Sequence, residues 1–374
     1  MNRSARHKVK TWRDNNFPLL LCVLILLGFG AAMVYSATLR DPLTQGYFSR
    51  HLVNLLVGCA AMALLTTVDY HAFEAWIVPF YLGAVALLGL VLVVGQVSSG
   101  AQSWIDLGIR TFQPSEPAKL LVILALAAYW SHNERQPQAW RVVIASLILV
   151  GIPTVLVFLQ PDFGTAMVFV AIWTAMALAA GVRLWQFGVL FIAAVPAAIY
   201  GWTHILQPYQ RTRLLIFLDP LKYDPDLKQG AWNIMQSLTA IGSGGLTGRG
   251  WTHGLLSQGN YLPVQYSDFI FAITGEEIGF LGAALLLVFL GITIWQALSV
   301  SVIARDTFGR LIAVGIAAML LCHVLVNVGM NMSIMPVTGI PLPFISYGGS
   351  FTMTSLAAIG LLQSIALRRR RITF

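Results

Sequence analysis

Leu19-Leu20-Leu21-Cys22-Val23-Leu24-Ile25-Leu26-Leu27-Gly28-Phe29-Gly30-Ala31-Ala32-Met33 runs without a charged residue. With its apolar flanks it reaches the roughly 20 residues that a helix needs to cross a bilayer core of about 30 Å. Similar runs recur at Tyr81–Val94, Val142–Val150 and Ala283–Gly291, separated by short polar breaks. The first run is too long for a signal-peptide core and more membrane segments follow, so it reads as an uncleaved first span.

Composition agrees. Of 374 residues, 57% are apolar and only 10% charged, against about 25% charged in an ordinary soluble domain. A soluble enzyme is excluded. The expected fold is an all-α membrane protein with ten spans: 17–38, 51–68, 74–95, 115–131, 141–159, 165–181, 184–205, 268–302, 310–334 and 349–367. One polytopic domain, 1–374, is expected, with a large extracytoplasmic loop at 206–267. That loop holds apolar stretches between prolines and is expected to lie along the membrane surface. The stretch 268–302 exceeds one crossing, which implies strong tilt or a cytoplasmic tail.

The net charge of +8 reports orientation rather than nucleic acid. With a cytoplasmic N-terminus, the inner segments hold Arg3, Arg6, Lys8, Lys10, Arg13, Arg135, Arg141, Arg183, Arg305, Arg310 and Arg368 to Arg371. The short outer loops hold only Arg40, Arg50 and Arg110. That asymmetry places both termini in the cytoplasm. Cys22, Cys59 and Cys322 all sit in apolar runs, an odd number that suits neither a disulfide framework nor a thiolate metal site.

Acids gather at the outer ends: Asp41, Asp106, Glu116, Asp162, Asp219, Asp224, Asp226 and Asp268. Polar groups within membrane segments are costly and tend to be functional. Asp268, where the long loop enters the eighth span, is either a helix cap or a general base facing outward. Glu276 and Glu277, two helical turns further on, read as buried ion-pair partners or a proton relay. In Gln113-Pro114-Ser115-Glu116-Pro117-Ala118-Lys119, Ser115 is the expected N-cap and Glu116 can pair with Lys119 on one face. Arg211 and Arg213 could grip phosphate, or serve the loop or lipid headgroups. Trp104, Trp202 and Trp251 read as interfacial anchors. The Gly242–Gly245 turn is no phosphate fingerprint, and the histidines show no metal spacing. Pro336, Pro341, Pro343 and Gly348-Gly349 mark a non-helical entry to the last span, tolerated only where it is packed or lines a cavity.

On these stretches the chain resembles the SEDS family of bacterial cell-wall polymerases. The resemblance rests on Gly100–Gly108, Phe112–Lys119, Gln160–Thr165, Tyr209–Pro220, Ile241–Trp251, Asp268–Gly279 and Pro336–Ser350. Tyr209–Pro220 and Gly248–Trp251 favour the elongation branch over the division branch. The resemblance implies an enzyme that polymerises lipid II, an undecaprenyl-pyrophosphate disaccharide-pentapeptide, at the outer face of the bacterial inner membrane. It implies as partners a class B penicillin-binding transpeptidase, the elongation proteins MreC, MreD and RodZ, and membrane lipids. It places the family's essential aspartate on Asp268, functional weight on Glu116 and Lys119, and a required tryptophan on Trp104. Ser103 and Tyr266-Ser267 depart from the family's usual Arg and His-Thr. Lys119, Arg211 and Arg213 are then expected to offset leaving-group charge, with Glu276 or Glu277 raising the pKa of Asp268. A divalent cation, magnesium or manganese, held by Asp268 and another carboxylate is a further expectation. Two rivals are a lipid II flippase and a scaffold that only activates its partner.

Overall fold

The computed structural model describes residues 15–44, 46–98, 101–106, 111–205, 208–227 and 230–369. Arg3, Arg6, Lys8, Lys10, Arg13, Gly100, Leu107, Gly108, Arg110, Lys228, Arg370 and Arg371 lie outside the described residues.

The helices are α1 (Phe17–Thr38), α2 (Tyr47–Thr67), α3 (Ile77–Val94), α4 (Ser115–His132), α5 (Trp140–Leu159), α6 (Phe163–Ala180) and α7 (Leu184–Tyr200). The loop region then supplies α8 (Pro208–Leu218), α9 (Pro220–Tyr223), α10 (Ala231–Ser243) and α11 (Leu255–Gln258), before α12 (Ile270–Ile303), α13 (Thr307–Asn331) and α14 (Gly349–Leu367). Among the described residues, nine helices are long and apolar enough to cross a membrane. The tenth segment of the sequence count is α4. Glu116 and Lys119 near one end and His132 at the other lower its apolarity, yet most of its side chains are buried.

α13 and α14 are the most buried of these helices, and α7 is the least. α14 lies along α2, where an added Cβ on Gly360 would stand 2.6 Å from the Met62 carbonyl oxygen. Small residues at such crossings let helix backbones approach closely, the main way apolar helices associate in lipid. At one end, Arg368 Nε bonds Asp69 Oδ2 at 3.0 Å and Tyr70 bonds Asp306, tying together the ends of α14, α2 and α12.

At three places the structure adds to the sequence reading or departs from it. First, the α3–α4 connection carries three short antiparallel strands, β1 (Gln96–Ser98), β2 (Ala101–Asp106) and β3 (Thr111–Phe112). Mixed polar and apolar residues there, with Trp104 paired to Gln96, can satisfy their backbone by pairing outside a helix. Second, the 206–267 region folds into four helices, α8 to α11, one of which packs against the transmembrane helices. α10 turns Ala231, Ile234, Ser237 and Ala240 inward, a stripe at helical spacing, and packs on α12 and α13.

Third, the long eighth span is two helices rather than one tilted one. Gly279 has φ 72° and ψ −170°, a region essentially restricted to glycine. It leaves 270–278 before the break and 280–303 after it, the latter alone long enough to cross. The loop after α10 fills the break. Phe280 and Leu281 amides donate to the Gly245 and Leu246 carbonyls at 2.9 and 3.1 Å, and Arg249 and Gly250 amides donate to the Glu276 and Glu277 carbonyls at 3.0 Å. Gly244 and Gly248 face Gly275 and Gly279, with no room for a Cβ on Gly244, Gly248 or Gly279.

This geometry sets an expectation for thermal unfolding of the purified protein. Gly279→Ala should lower Tm sharply, because about 1–3 kcal/mol of backbone strain adds to a backbone collision. Gly291→Ala, where nothing lies within 4 Å, should leave Tm equal or raise it, since helical alanine gains roughly 0.5–1 kcal/mol over glycine. Equal effects would contradict the break.

Candidate active site

The site is organised by one face of α13. His323, Asn327 and Asn331 recur every fourth residue, so they share a face of the helix. Asn331 Nδ2 donates to the Asp268 backbone carbonyl at 2.9 Å, and Asn327 Nδ2 donates to the same oxygen at 3.0 Å and to the Ile340 carbonyl at 2.7 Å. Asn331 Oδ1 accepts from the Ala272 amide at 3.1 Å, satisfying a first-turn donor of α12. The Asn331 carbonyl accepts from Ser237 Oγ on α10 at 2.8 Å. One stripe therefore fixes the entry of α12, the Pro336–Ser350 segment and α10 together. The sequence reading missed these residues, although three polar side chains at helical spacing inside an apolar run were a usable signal.

Asp268 is not the cap of α12. Phe269 flanks the helix, and no side chain bonds there as a cap. The Asp268 amide donates to the Val264 carbonyl at 3.1 Å, while the side chain faces Gly339, where an added Cβ would stand 3.4 Å from Oδ2. Gly339 has φ 74°, which lets the chain pass so close. Asp268 lies outside the helical span. Burial pushes its carboxyl up to about 6, nearby Asp162 adds to the rise, and Ser267 and Arg213 oppose it. Glu276 and Glu277 are not among these causes, contrary to the expectation.

Asp162 caps α6, with Oδ1 accepting from the Thr165 amide at 2.9 Å and Oδ2 from Gln113 Nε2 at 3.1 Å. Burial raises its carboxyl, which Lys119 partly offsets. A cavity runs between Pro161, Gln210 and Arg213 on one side and Pro336 to Thr338 on the other. Arg213 thus borders the opening and bears electrostatically on Asp268. Arg211 turns elsewhere, donating to the Thr203 carbonyl at 3.0 Å. Trp104, partly exposed on β2, sits beside Ser103, whose hydroxyl reaches the Gln160 carbonyl at 3.4 Å, two residues before Asp162.

Glu116 and Lys119 do pair, at 2.9 Å, and both are essentially buried. Lys119 Nζ also meets His323 Nε2 at 2.9 Å and stands 5.6 Å from the Phe351 ring centre. Its ammonium is held inside the protein rather than on an open surface. Ser115 is not the cap of α4. Pro114 occupies that position, and the Ser115 hydroxyl is buried without a partner among the described residues.

Glu276 and Glu277 form a separate cluster. Glu276 accepts from the Leu256 and Ser257 amides at 2.8 and 2.9 Å. Glu277 accepts from Ser36 Oγ at 2.6 Å, Ser257 Oγ at 2.8 Å and the Thr252 amide at 3.2 Å. Their partners are hydroxyls and amides of α1 and the loop, so they act as acceptors that fasten the loop to the broken helix. They neither pair with a cation nor join Asp268.

No three His, Cys, Asp or Glu side chains converge on a common metal position among the described residues. Asp162 bears electrostatically on Asp268, and two carboxylates are donors of the kind a hard divalent cation takes.

The family described as cell cycle proteins, which groups FtsW, RodA and SpoVE, matches residues 17–371. The chain belongs to this family. It is 36% identical over 355 residues to a peptidoglycan glycosyltransferase, MrdB, of Escherichia coli K12, covering 95% of this chain and 94% of that one. It is 32% identical to the peptidoglycan glycosyltransferase RodA of Treponema pallidum, covering 97% of this chain and 100% of the relative. Among solved structures it resembles a chain of a peptidoglycan synthase complex that coordinates polymerization and crosslinking, with a TM-score of 0.81 and 30% identity over 95% of this chain and 98% of that chain. It also resembles the rod shape determining protein RodA of Thermus thermophilus, with a TM-score of 0.70 and 29% identity over 96% of this chain and 99% of that chain.

The buried pair generates a stability prediction. Lys119→Met should cost about 3–5 kcal/mol by stranding the Glu116 charge. Glu116→Gln in the same protein should recover most of that, read as Tm of the purified protein. Equal destabilisation by the single and double variants would contradict the pairing.

Proposed function

We propose that this peptidoglycan glycosyltransferase polymerises lipid II at the outer face of the bacterial inner membrane, with Asp268 as the general base. The observation that carries the reading is a buried carboxylate with a raised pKa, its backbone clamped by two asparagines, on which Arg213, an arginine that lines a cavity, bears electrostatically. Such a group is suited to take a proton near neutral pH.

In the proposed step, the 4-hydroxyl oxygen of an incoming lipid II sugar bonds to the anomeric carbon of the growing chain. The bond from that carbon to the pyrophosphate oxygen breaks, and its electron pair leaves with the pyrophosphate. The hydroxyl proton passes to Asp268, and the anomeric centre inverts. Arg213 offsets charge on the leaving group. A divalent cation held by Asp268 and Asp162 would neutralise further phosphate charge. The open apolar recess on α7, lined by Phe191, Val195, Ile199 and Trp202, offers a surface for a prenyl tail. A class B penicillin-binding transpeptidase supplies the crosslinking activity, and MreC, MreD and RodZ place the pair in the elongation machinery. Both termini lie in the cytoplasm.

The broken α12 is the feature that would suit a flippase, since transporters use discontinuous helices near the midplane. Here the backbone groups at the break are bonded to the 245–250 loop and both glutamates accept from hydroxyls and amides of that loop and its neighbours, which favours transfer over transport.

Gel-resolved polymerisation by the purified protein with its transpeptidase partner tests the reading. Wild type should convert lipid II to polymer, and kcat/KM should fall as pH drops through about 6, because protonation removes the base. A fall only near the ordinary carboxylate value of about 4, or lipid II flipping without polymer, would contradict it.

A further inference from the structure

We infer that His323 is a positioning residue of the transfer site, locking Lys119 against Glu116 and tying both to the segment that faces Asp268. This rests on the proposed placement of the reaction at Asp268. His323 is 2% exposed. Its Nε2 lies 2.9 Å from Lys119 Nζ, and its Nδ1 lies 3.3 Å from the Pro341 carbonyl oxygen. An ammonium has only donors and a carbonyl has only acceptors. The two contacts are therefore satisfied together by one form of the ring, the neutral tautomer with the proton on Nδ1.

That form makes the imidazole a directional link. Lys119 donates to Nε2, and Nδ1–H donates to Pro341. The Lys119 ammonium is thereby held at three places, by the Glu116 carboxylate, the His323 ring and the Phe351 face. Pro341 follows Ile340, whose carbonyl is held by Asn327, and Gly339, which lies against the Asp268 carboxylate. The same stripe of α13 thus sets the height of Asp268 through Asn327 and Asn331 and the placement of Lys119 through His323. Lys119 in turn bears on Asp162, which bears on Asp268.

The requirement is for one acceptor and one donor at the ring's two edges. Glutamine carries both on a flexible side chain, whereas phenylalanine fills similar space with neither. The test measures steady-state polymerisation of purified lipid II by full-length wild type, His323→Gln and His323→Phe, each assembled with the transpeptidase partner. His323→Phe should lose roughly 10- to 100-fold in kcat, as misplaced catalytic groups do, with KM for lipid II within about twofold. His323→Gln should recover most of the lost kcat. Tm of each complex is measured alongside, and His323→Leu replaces the phenylalanine variant if that does not assemble. Wild-type kcat in the phenylalanine or leucine variant, or equal losses in it and the glutamine variant at matched Tm, would overturn the inference. Asp268→Asn in the same assay separates the two readings: full activity there would sink the site itself, whatever His323 does.

Discussion

Two side-chain amides on one backbone carbonyl hold this site in place. Asn327 and Asn331 both donate to the Asp268 backbone oxygen, and Asn327 also holds the Ile340 carbonyl next to Gly339, which faces the Asp268 side chain. In a membrane protein such buried amides have no water to fall back on. A lost partner leaves a polar group unsatisfied, at about 1–3 kcal/mol. The stripe His323, Asn327 and Asn331 is therefore both a packing seam and a ruler. It fixes α12, the Pro336–Ser350 segment, α10 and α4 at defined heights around the carboxylate.

The second constraint is the interruption of α12 at Gly279. A broken helix at this depth would expose amides and carbonyls, and the loop after α10 supplies them with partners. Glycines on both sides permit the backbones to touch. Glu276 and Glu277 then close the arrangement by gathering hydroxyls and amides from α1 and α11. Their carboxyl oxygens accept from the loop and from α1, which fastens the loop to the broken helix.

Much of the fold was legible in the sequence because hydrophobic run length is dictated by bilayer thickness. The burial of acids near span ends, Asp268 among them, was legible for a related reason, since polar groups there stand out against apolar runs. What the sequence hid was long-range. The partners of Glu276 and Glu277 come from Ser36 and Ser257, distant in the chain. The break at Gly279 looked like one over-long helix, because apolar residues continue on both sides. The cap at α4 went to Pro114 rather than Ser115, and the Gln113 amide just before it bonds Ser350, far along the chain. The histidine–asparagine stripe was within reach of periodicity alone, yet its meaning depends on which carbonyls face it.

In the proposed reaction the Asp268 carboxylate takes the proton of the attacking hydroxyl. The most direct measurement is the rate of glycan polymerisation from purified lipid II by Asp268→Asn in its transpeptidase complex, with folding and complex formation matched to wild type. Loss of a general base predicts a fall of about 10²- to 10⁴-fold with the complex intact. Polymer formed at the wild-type rate would show that Asp268 does not carry the proton.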